Sequence, residues 1–370
     1  MKKKCVLCVV GTRPEAIKMA PVIHLLMKQP WADVKVLATA QHREILDQIL
    51  SIFDIAPDYD LDIMQEDQEL TELTARLLVA LGDVLEEITP DIVLAQGDTT
   101  TVMTTSIACF YRKIPFGHVE AGLRTGDIWY PFPEEMNRVV AGHLSTLHFA
   151  PTIGAKENLL RENIPETSIY VTGNTVIDAL LQTAKRNFEI GVKLDDSKRL
   201  ILVTSHRREN FGAPMQESFT ALRDLVERNE DIEILYPVHP NPNVLKPARE
   251  ILGRHPRIHL VHPLGYAQFV QAMKKAYLII SDSGGVQEEA PALGKPVLVL
   301  RDETERPEAV EAGVVRMVGT KRELIISESE RLLKDKNYYK SMAKGISPYG
   351  DGKASKRIVS ILEKWLLKKP

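Results

Sequence analysis

The sequence predicts an α/β protein with two Rossmann-like domains and a cleft between them. Short apolar, β-branched runs alternate with longer helical patterns along the chain, which indicates βαβ units and parallel sheets. The same alternation begins again after a polar segment at residues 186–199. A length of 370 residues fits two domains of roughly 100–200 residues each.

Each half of the chain supplies its own set of strands. In the first half, helical patterns at 14–28, 70–88 and 134–144 separate apolar runs that predict strands at 4–10, 34–40, 92–96, 116–120, 147–150 and 169–173. In the second half the predicted strands are 200–204, 232–237, 258–261, 278–281 and 296–300. We therefore expect domains at 1–173 and 174–354, followed by an amphipathic terminal helix within 355–370.

Composition excludes several classes of protein. Lys plus Arg number 47 and Asp plus Glu number 50, a net charge of -3, which argues against a dedicated nucleic-acid binder. No apolar run approaches the roughly 18 residues of a membrane span. The apolar run after the N-terminal lysines is too short for a signal peptide, so we expect a cytoplasmic protein. Cys5 and Cys8 form a CxxC, but on a strand they point to opposite faces, which favours core packing over a redox or metal site.

The loop after the first strand has the features of an anion site. Gly11 permits a tight turn, Pro14 suits the first turn of a helix, and Arg13 and Lys18 lie near that helix start. Ligands of open α/β sheets bind at such strand ends. Neither the dinucleotide-binding nor the Walker glycine pattern occurs, which argues against NAD and P-loop chemistry.

Two loops of the second half predict a nucleotide diphosphate site. The first contains His206, Arg207 and Arg208 at a strand end. In the second, residues 281–289, a strand runs through Ser283, Gly284 and Gly285 into a helix whose free N–H groups could hold phosphate, while Glu289 could accept hydrogen bonds from a ribose. Together with the Arg13 loop, they predict a cleft that binds a nucleotide diphosphate.

Three acidic residues follow strands of the first half. Asp98, Glu120 and Glu134 could perform general acid–base chemistry, because neighbouring charges and burial in a cleft raise the pKa of a carboxyl group. Structural roles are also open: Asp98 could cap the helix that follows it, and Glu134 could form an i, i+4 surface pair with Arg138. The occurrence of all three at successive strand ends favours function.

The chain resembles the non-hydrolysing UDP-N-acetylglucosamine 2-epimerases. The matching segments occur in order along the whole chain, at residues 11–18, 39–43, 97–101, 117–126, 133–135, 171–175, 206–210, 281–291, 304–308 and 348–352. The resemblance implies the GT-B arrangement of two Rossmann-like domains, a terminal helix that packs back on the first, and a homodimer. It also implies interconversion of UDP-GlcNAc and UDP-ManNAc for surface polysaccharide, without NAD or a metal.

The resemblance also implies a mechanism and its residues. Members of this family expel UDP from the anomeric carbon, remove the C2 proton to leave 2-acetamidoglucal, and add UDP back with the proton delivered to the other face. Asp98 matches a base, and Glu120 and Glu134 share the other acid–base roles. The positions that stabilise the departing diphosphate are matched by Arg13, His206, Ser283, Gly284 and Gly285. Other substrate positions are matched by Lys18, Arg138, Phe269 (uracil), Glu289 (ribose) and Arg306.

Two further expectations concern regulation and alternatives. Gln41, Gln68 and Arg207 match residues that bind a second, activating UDP-GlcNAc in many bacterial members. A hydrolysing 2-epimerase that releases free ManNAc and a retaining GT-B glycosyltransferase stay open as alternative enzymes. A catalytically inactive nucleotide-sugar sensor is the alternative from a different class.

Overall fold

The computed structural model describes residues 2–39, 43–63, 68–304 and 306–368. The chain forms two compact units, one from residues 1–179 with 349–370 and one from residues 180–348. Each unit carries its own parallel sheet, which confirms the predicted α/β class. No helix in the described ranges is long and apolar enough to cross a membrane.

Unit 1 is a seven-stranded parallel sheet with helices between successive strands. The strand order is β3-β2-β1-β4-β5-β6-β7, so the chain reverses direction across the sheet between β1 and β4. Its elements are β1 (Lys4–Val10), α1 (Arg13–Met27), β2 (Ala32–Ala38), α2 (Arg43–Ile52), β3 (Tyr59–Asp60), α3 (Leu70–Ile88), β4 (Ile92–Gln96), α4 (Thr100–Tyr111), β5 (Phe116–Val119), α5 (Glu134–Leu144), β6 (Leu147–Ala150), α6 (Ile153–Arg161) and β7 (Ile169–Val171). The next helix, α7 (Thr175–Lys185), contains the division between the units, at residues 179 and 180.

Burial on both faces of the sheet explains why the central strands are continuous runs of apolar residues. Residues 6–10 of β1 are all buried, including Cys8, because helices cover both faces of a parallel sheet. Helix α3 packs on one face through residues spaced four apart, Leu73, Leu77, Leu81 and Leu85. Cys5, Cys8 and Cys109 are free thiols, as expected for cysteines that pack as small apolar side chains.

Unit 2 repeats this architecture with six parallel strands in the order β10-β9-β8-β11-β12-β13. The reversal lies between β8 and β11. Its elements are β8 (Arg199–Thr204), α8 (Ala213–Arg228), β9 (Ile232–Pro237), α9 (Pro242–Leu252), β10 (Ile258–Val261), α10 (Tyr266–Lys275), β11 (Leu278–Ser281), α11 (Gly284–Glu289), β12 (Val297–Val299), α12 (Pro307–Glu311), β13 (Val315–Met317), α13 (Arg322–Lys334) and α14 (Lys336–Met342).

The chain returns to unit 1 through its last helix, α15 (Ala354–Leu367), which contacts α1. Asp178 is buried and accepts hydrogen bonds from the backbone nitrogens of Ala354 (3.1 Å) and Ser355 (2.9 Å). Burial raises the pKa of this carboxyl group, and its bonds satisfy free N–H groups at the start of α15. The units divide at residues 179 and 348, whereas the sequence predicted boundaries at 173 and 354.

Candidate active site

The carboxyl ends of β1, β4 and β5 bring the predicted residues of unit 1 to one edge of the sheet. These strands are adjacent, in the order β1, β4, β5. Gly11 follows β1, Asp98 lies two residues after β4, and Glu120 follows β5 directly. This edge, at the reversal of the strand order, is where open α/β sheets bind ligands.

Lys18 and Glu120 form the central ion pair of this edge. The ammonium of Lys18 lies 2.8 Å from Oε1 and 2.7 Å from Oε2 of Glu120, and both side chains are largely buried. Gln96, the last residue of β4, donates a third hydrogen bond to Oε2 at 3.0 Å. These three hydrogen bonds, two from Lys18 and one from Gln96, fix the position of the Glu120 carboxylate.

The backbone of Glu120 is strained. Its φ is +67°, in the left-handed region that non-glycine residues seldom adopt. The backbone nitrogens of Glu120 and Ala121 both donate to the carbonyl of Phe149, at 3.0 and 3.1 Å, and hold this turn in place. Such strain persists where the surroundings impose it, and it is concentrated at functional sites.

Asp98 lies among charges of both signs. Burial is the main cause that raises the pKa of its carboxyl group. Glu120 and Glu134 raise the pKa further, whereas Arg138 and Lys18 lower it. Nη1 of Arg138 is 3.6 Å from Oδ2 of Asp98. The predicted residues Asp98, Glu120, Lys18 and Arg138 therefore form one electrostatic cluster.

Backbone contacts hold the Asp98 loop. Asn137 donates to the carbonyl of Asp98 at 3.0 Å. His118 is fully buried and donates from Nε2 to the carbonyl of Gly97 at 2.7 Å. Burial lowers the pKa of His118 to about 3, so it acts there as a neutral donor. The alternative in which Asp98 caps α4 is wrong, because Thr99 is the capping residue.

Arg138 pairs with Glu135 rather than with Glu134. Nε of Arg138 lies 2.7 Å from Oε2 of Glu135, and both side chains are buried. Oε1 of Glu135 accepts the backbone N–H groups of Thr125 (3.0 Å) and Gly126 (3.1 Å). The alternative of an exposed Glu134–Arg138 pair is therefore wrong. Glu134 is the half-buried first residue of α5.

Glu15 connects the loop after β1 to the start of α4. Its buried carboxylate accepts from the backbone nitrogens of Gly11 (2.6 Å) and Thr12 (2.8 Å) and from the hydroxyl of Thr99. Burial raises the pKa of Glu15. Arg13 begins α1, where the positive end of the helix dipole favours anions.

In unit 2, Asp282 organises the loop that contains His206. Its carboxylate is fully buried and accepts from Ser205 and from the backbone of residues 206 and 207. The guanidinium of Arg207 comes within 4.0 Å of the position that a Cβ on Gly284 would occupy. The basic loop after β8 and the glycine loop after β11 are thus neighbours, as expected from the adjacent strands.

The remaining nucleotide-site predictions also fall in unit 2. Ser283 is the N-cap of α11, Gly284 and Gly285 are its first residues, and Glu289 is half-buried at its end. Phe269 is half-buried in α10. Arg306 forms an ion pair with Glu288, whose backbone carbonyl accepts from the hydroxyl of Ser347 at 3.0 Å.

The predicted regulatory residues are described only in part. Gln41 lies outside the described residues. Gln68 accepts a hydrogen bond from Arg76 on α3. Arg207 lies beside Gly284, as noted above. Within the described ranges, no group of three or more His, Cys, Asp or Glu side chains is arranged to hold a metal ion.

Sequence reasoning did not single out the residues that support the site. Gln96 binds Glu120, Glu15 binds the Arg13 loop, Glu135 binds Arg138, and Asp282 binds the His206 loop. Each lies within or beside a segment quoted above, so its place near the site could have been inferred. The partners of Gln96, Glu15 and Asp282 could not, because these contacts join distant parts of the chain or backbone groups, whereas Glu135 and Arg138 lie three residues apart on α5, a spacing that the sequence shows.

Comparison with known proteins identifies the family. The family model described as UDP-N-acetylglucosamine 2-epimerase matches residues 24–363. The chain is 54% identical over 368 residues to the UDP-N-acetylglucosamine 2-epimerase of Escherichia coli K12, covering 97% of this chain and 98% of that protein. It is 53% identical over 364 residues to the enzyme of the same name from Bacillus subtilis, covering 98% and 96%.

A solved structure agrees with these relatives. The UDP-GlcNAc 2-epimerase of Neisseria meningitidis, crystallised with UDP-GlcNAc, superimposes with a TM-score of 0.85 at 49% identity. The match covers 97% of this chain and 100% of that one. Family model, full-length relatives and fold thus agree. The chain belongs to the family of non-hydrolysing UDP-N-acetylglucosamine 2-epimerases and is an isomerase.

Proposed function

We propose that this protein interconverts UDP-GlcNAc and UDP-ManNAc by eliminating UDP and adding it back. The observation that supports this most directly is the charged cluster of unit 1, in which Asp98, Glu120, Lys18 and Arg138 meet at the ligand-binding edge of the sheet. Full-length relatives named as 2-epimerases, one of them bound to UDP-GlcNAc, support the substrate.

The chemistry explains why carboxylates are needed. The C2 proton of the sugar has no adjacent carbonyl to acidify it, so simple enolisation is not available. Breaking the anomeric C–O bond sends its electron pair to the diphosphate, and loss of the C2 proton then gives 2-acetamidoglucal. Addition of UDP, with a proton delivered to the opposite face of C2, completes the inversion.

The carboxylates of unit 1 divide the proton transfers in this proposal. Asp98 is the base, because burial and the nearby glutamates raise its pKa and thereby its affinity for a proton. Glu120 is already paired with Lys18 and Gln96, which suits a carboxylate that stabilises positive charge on the ring. Glu134, at the start of α5, takes the remaining acid–base role on the other face.

The loops of unit 2 hold the nucleotide in this proposal. Donors from His206 and the start of α11 at Ser283, Gly284 and Gly285 stabilise the departing diphosphate. For Arg13, at the start of α1, we propose a role in binding an anionic group of the ligand. Glu289 binds the ribose, Phe269 contacts the uracil, and Arg306 completes the substrate contacts. Gln41, Gln68 and Arg207 are proposed to bind a second, activating UDP-GlcNAc.

The setting of the enzyme is also part of the proposal. We expect it to act in the cytoplasm, to supply ManNAc units for surface polysaccharide, and to form a homodimer. Exposed apolar side chains support the homodimer: Val79 on α3 and Phe110 and Tyr111 on α4 are 67%, 61% and 71% exposed. Helices α3 and α4 pack against one another, so these residues offer a surface for a second copy.

Proton NMR in deuterated water tests the reaction. Enzyme incubated with UDP-GlcNAc is expected to form UDP-ManNAc with deuterium at C2 of the sugar, because the C2 proton exchanges with solvent during elimination. Epimer formed with the original proton retained would contradict the proposed base chemistry. Free ManNAc accumulating with UDP would indicate a hydrolysing enzyme, and turnover only with a sugar acceptor would indicate a glycosyltransferase.

A further inference from the structure

Asp282 directs its two carboxylate oxygens at the loop that carries His206. It follows β11 and is fully buried. Oδ2 accepts from the hydroxyl of Ser205 at 2.9 Å and from the backbone nitrogens of His206 and Arg207 at 2.8 and 2.9 Å. These bonds fix the path of the loop after β8.

The other oxygen, Oδ1, has a single candidate partner within the described part of the chain. No described donor forms a hydrogen bond of good geometry with it, and Nδ1 of His206 lies 3.3 Å away. A buried carboxylate oxygen without a donor is costly, so a proton on Nδ1 satisfies it. We propose that Asp282 is a positioning residue, which keeps a proton on Nδ1 of His206 and leaves Nε2 to face the ligand.

His239 restrains the same ring from its face. The two imidazoles stack with centroids 5.8 Å apart and planes 17° apart. Nδ1 of His239 accepts the backbone N–H of Asn241 at 3.1 Å, so that nitrogen carries no proton. The side chain of His206 is still 41% exposed. Asp282 and His239 thus orient the ring, and its exposed part stays accessible to a ligand.

This inference rests on the proposed role of His206 beside the diphosphate. When the anomeric C–O bond breaks, its electron pair moves to the departing phosphate oxygen, and no other bond to His206 forms or breaks. On binding of the anionic ligand, Nε2 takes up a proton from solvent, so the ring becomes an imidazolium whose Nε2–H donates a charge-assisted hydrogen bond to that oxygen. The carboxylate of Asp282 stabilises the imidazolium through Nδ1, as partners of functional histidines do. The addition of UDP reverses the charge movement.

The variant Asp282→Asn separates this role from a structural one. The amide oxygen can keep the bonds that Oδ2 makes, while the amide NH₂ takes the place of Oδ1 and donates to Nδ1 of His206. We expect the nitrogen chemical shifts of His206 to change from the Nδ1–H tautomer to the Nε2–H tautomer. We also expect kcat to fall at least roughly 10-fold, as for partners of functional histidines, with KM for UDP-GlcNAc within about threefold.

Ser205→Ala is the matched control, since it removes a bond to Oδ2 and leaves Oδ1 intact. It is expected to keep the Nδ1–H tautomer and a kcat within about threefold of wild type. An Nε2–H tautomer in the wild-type protein overturns the proposal, even if the Asn variant does not fold. Unchanged kcat after the tautomer has switched also overturns it. A wild-type protein that does not epimerise refutes the proposed function instead, because the tautomer is measured independently of activity.

Discussion

The pKa of Asp98 is set by its neighbours rather than by its own chemistry. Burial and two glutamates favour the protonated form, while Arg138 and Lys18 favour the carboxylate. The ion pair between Lys18 and Glu120 keeps one further negative charge in place beside it. A carboxylate held between these opposing influences suits a base that must both accept and release a proton.

Asp98→Asn tests that role. The amide keeps the shape of the side chain but cannot accept the C2 proton, so turnover should fall by at least roughly 100-fold, as is common when acid–base catalysis is lost. UDP affinity, measured by calorimetry, should change little. Asp33→Asn, the same substitution at an exposed residue near the start of β2, is the control and should keep full activity. Near-normal turnover of the Asp98 variant would remove Asp98 from the mechanism.

The dependence of activity on pH should follow the ionisation of the Asp98 carboxyl group. A base must be ionised, and burial raises the pKa of Asp98 above its ordinary value of 3.8. We therefore expect kcat/KM to rise with pH through this raised pKa. Arg138→Gln removes a positive charge that lowers the pKa, so the acidic limb should move to higher pH. A limb that moves to lower pH would contradict this assignment.

Individual residues were predictable to different degrees. Asp98 and Glu120 could be found because they follow buried strands, where parallel sheets bind ligands. Glu135 and Asp282 could not be assigned these roles, since their carboxylates bind backbone N–H groups. Nearly every residue has such a group, so the sequence does not indicate which one is bound. The left-handed conformation of Glu120 was also not predictable, because glutamate has no preference for it.

At the scale of elements, the loop between β1 and α1 depends on the close approach of its Gly11 backbone to two threonine side chains. A Cβ on Gly11 would lie 2.5 Å from the hydroxyl of Thr101 and 2.6 Å from that of Thr39. These hydroxyls lie 3.0 Å apart and hydrogen-bond to each other. Glycine thus lets the loop after β1 lie against α4. Glu15 connects them, because its carboxylate accepts hydrogen bonds from this loop and from Thr99 at the start of α4.

Gly11→Ala should therefore be destabilising. The added methyl group forces the threonines or the loop to move, at a cost of about 1–3 kcal/mol in the free energy of unfolding, and activity should fall as the Arg13 loop shifts. Urea denaturation and the epimerase assay measure the two effects. Gly154→Ala is the control, because its nearest non-neighbouring atom would be 3.8 Å away and alanine favours helix α6. If both variants had the same free energy of unfolding, the prediction that crowding at residue 11 destabilises the protein would be wrong.

Strands with an apolar pattern were predicted, and two short edge strands without one were missed. The eleven predicted strands are all present, with ends that differ by up to two residues. β3 and β13 have two and three residues at the edges of their sheets, and they were missed because each includes a charged residue, Asp60 or Arg316, which leaves no apolar run. β7, also an edge strand of three residues, was predicted from the apolar run that begins at Ile169. An edge strand needs few buried side chains, so its sequence carries little periodic signal.

At the scale of the whole molecule, two sheets share one plan. Each has its first strand near the centre and reverses its order beside that strand. The net charge of -3 does not reveal how charged residues are distributed. Carboxylates lie together at the sheet edge of unit 1, and basic loops lie in both units. The alternation of strands and helices was sufficient to predict two domains with parallel sheets, whereas the order of the strands within each sheet comes from the structure.

The apolar residues of α3 and α4 lead to a prediction about assembly. If they form the homodimer surface, Phe110→Glu should place a charge in an apolar interface and halve the mass measured by light scattering. Ile153→Glu is the matched control: it replaces a residue that is 68% exposed at the start of α6 and should leave the mass unchanged. A wild-type monomer, or a dimer that survives Phe110→Glu, would contradict the assignment.

The return of the chain to unit 1 has a consequence for synthesis on the ribosome. Unit 2 is one continuous stretch, so it can fold as soon as it has left the exit tunnel. Unit 1 is made first yet is completed last, because α15, which contacts α1 and is anchored by Asp178, is translated after all of unit 2. The nascent chain must therefore carry an unfinished sheet domain, with the α15-binding surface of α1 uncovered, until α15 has been translated.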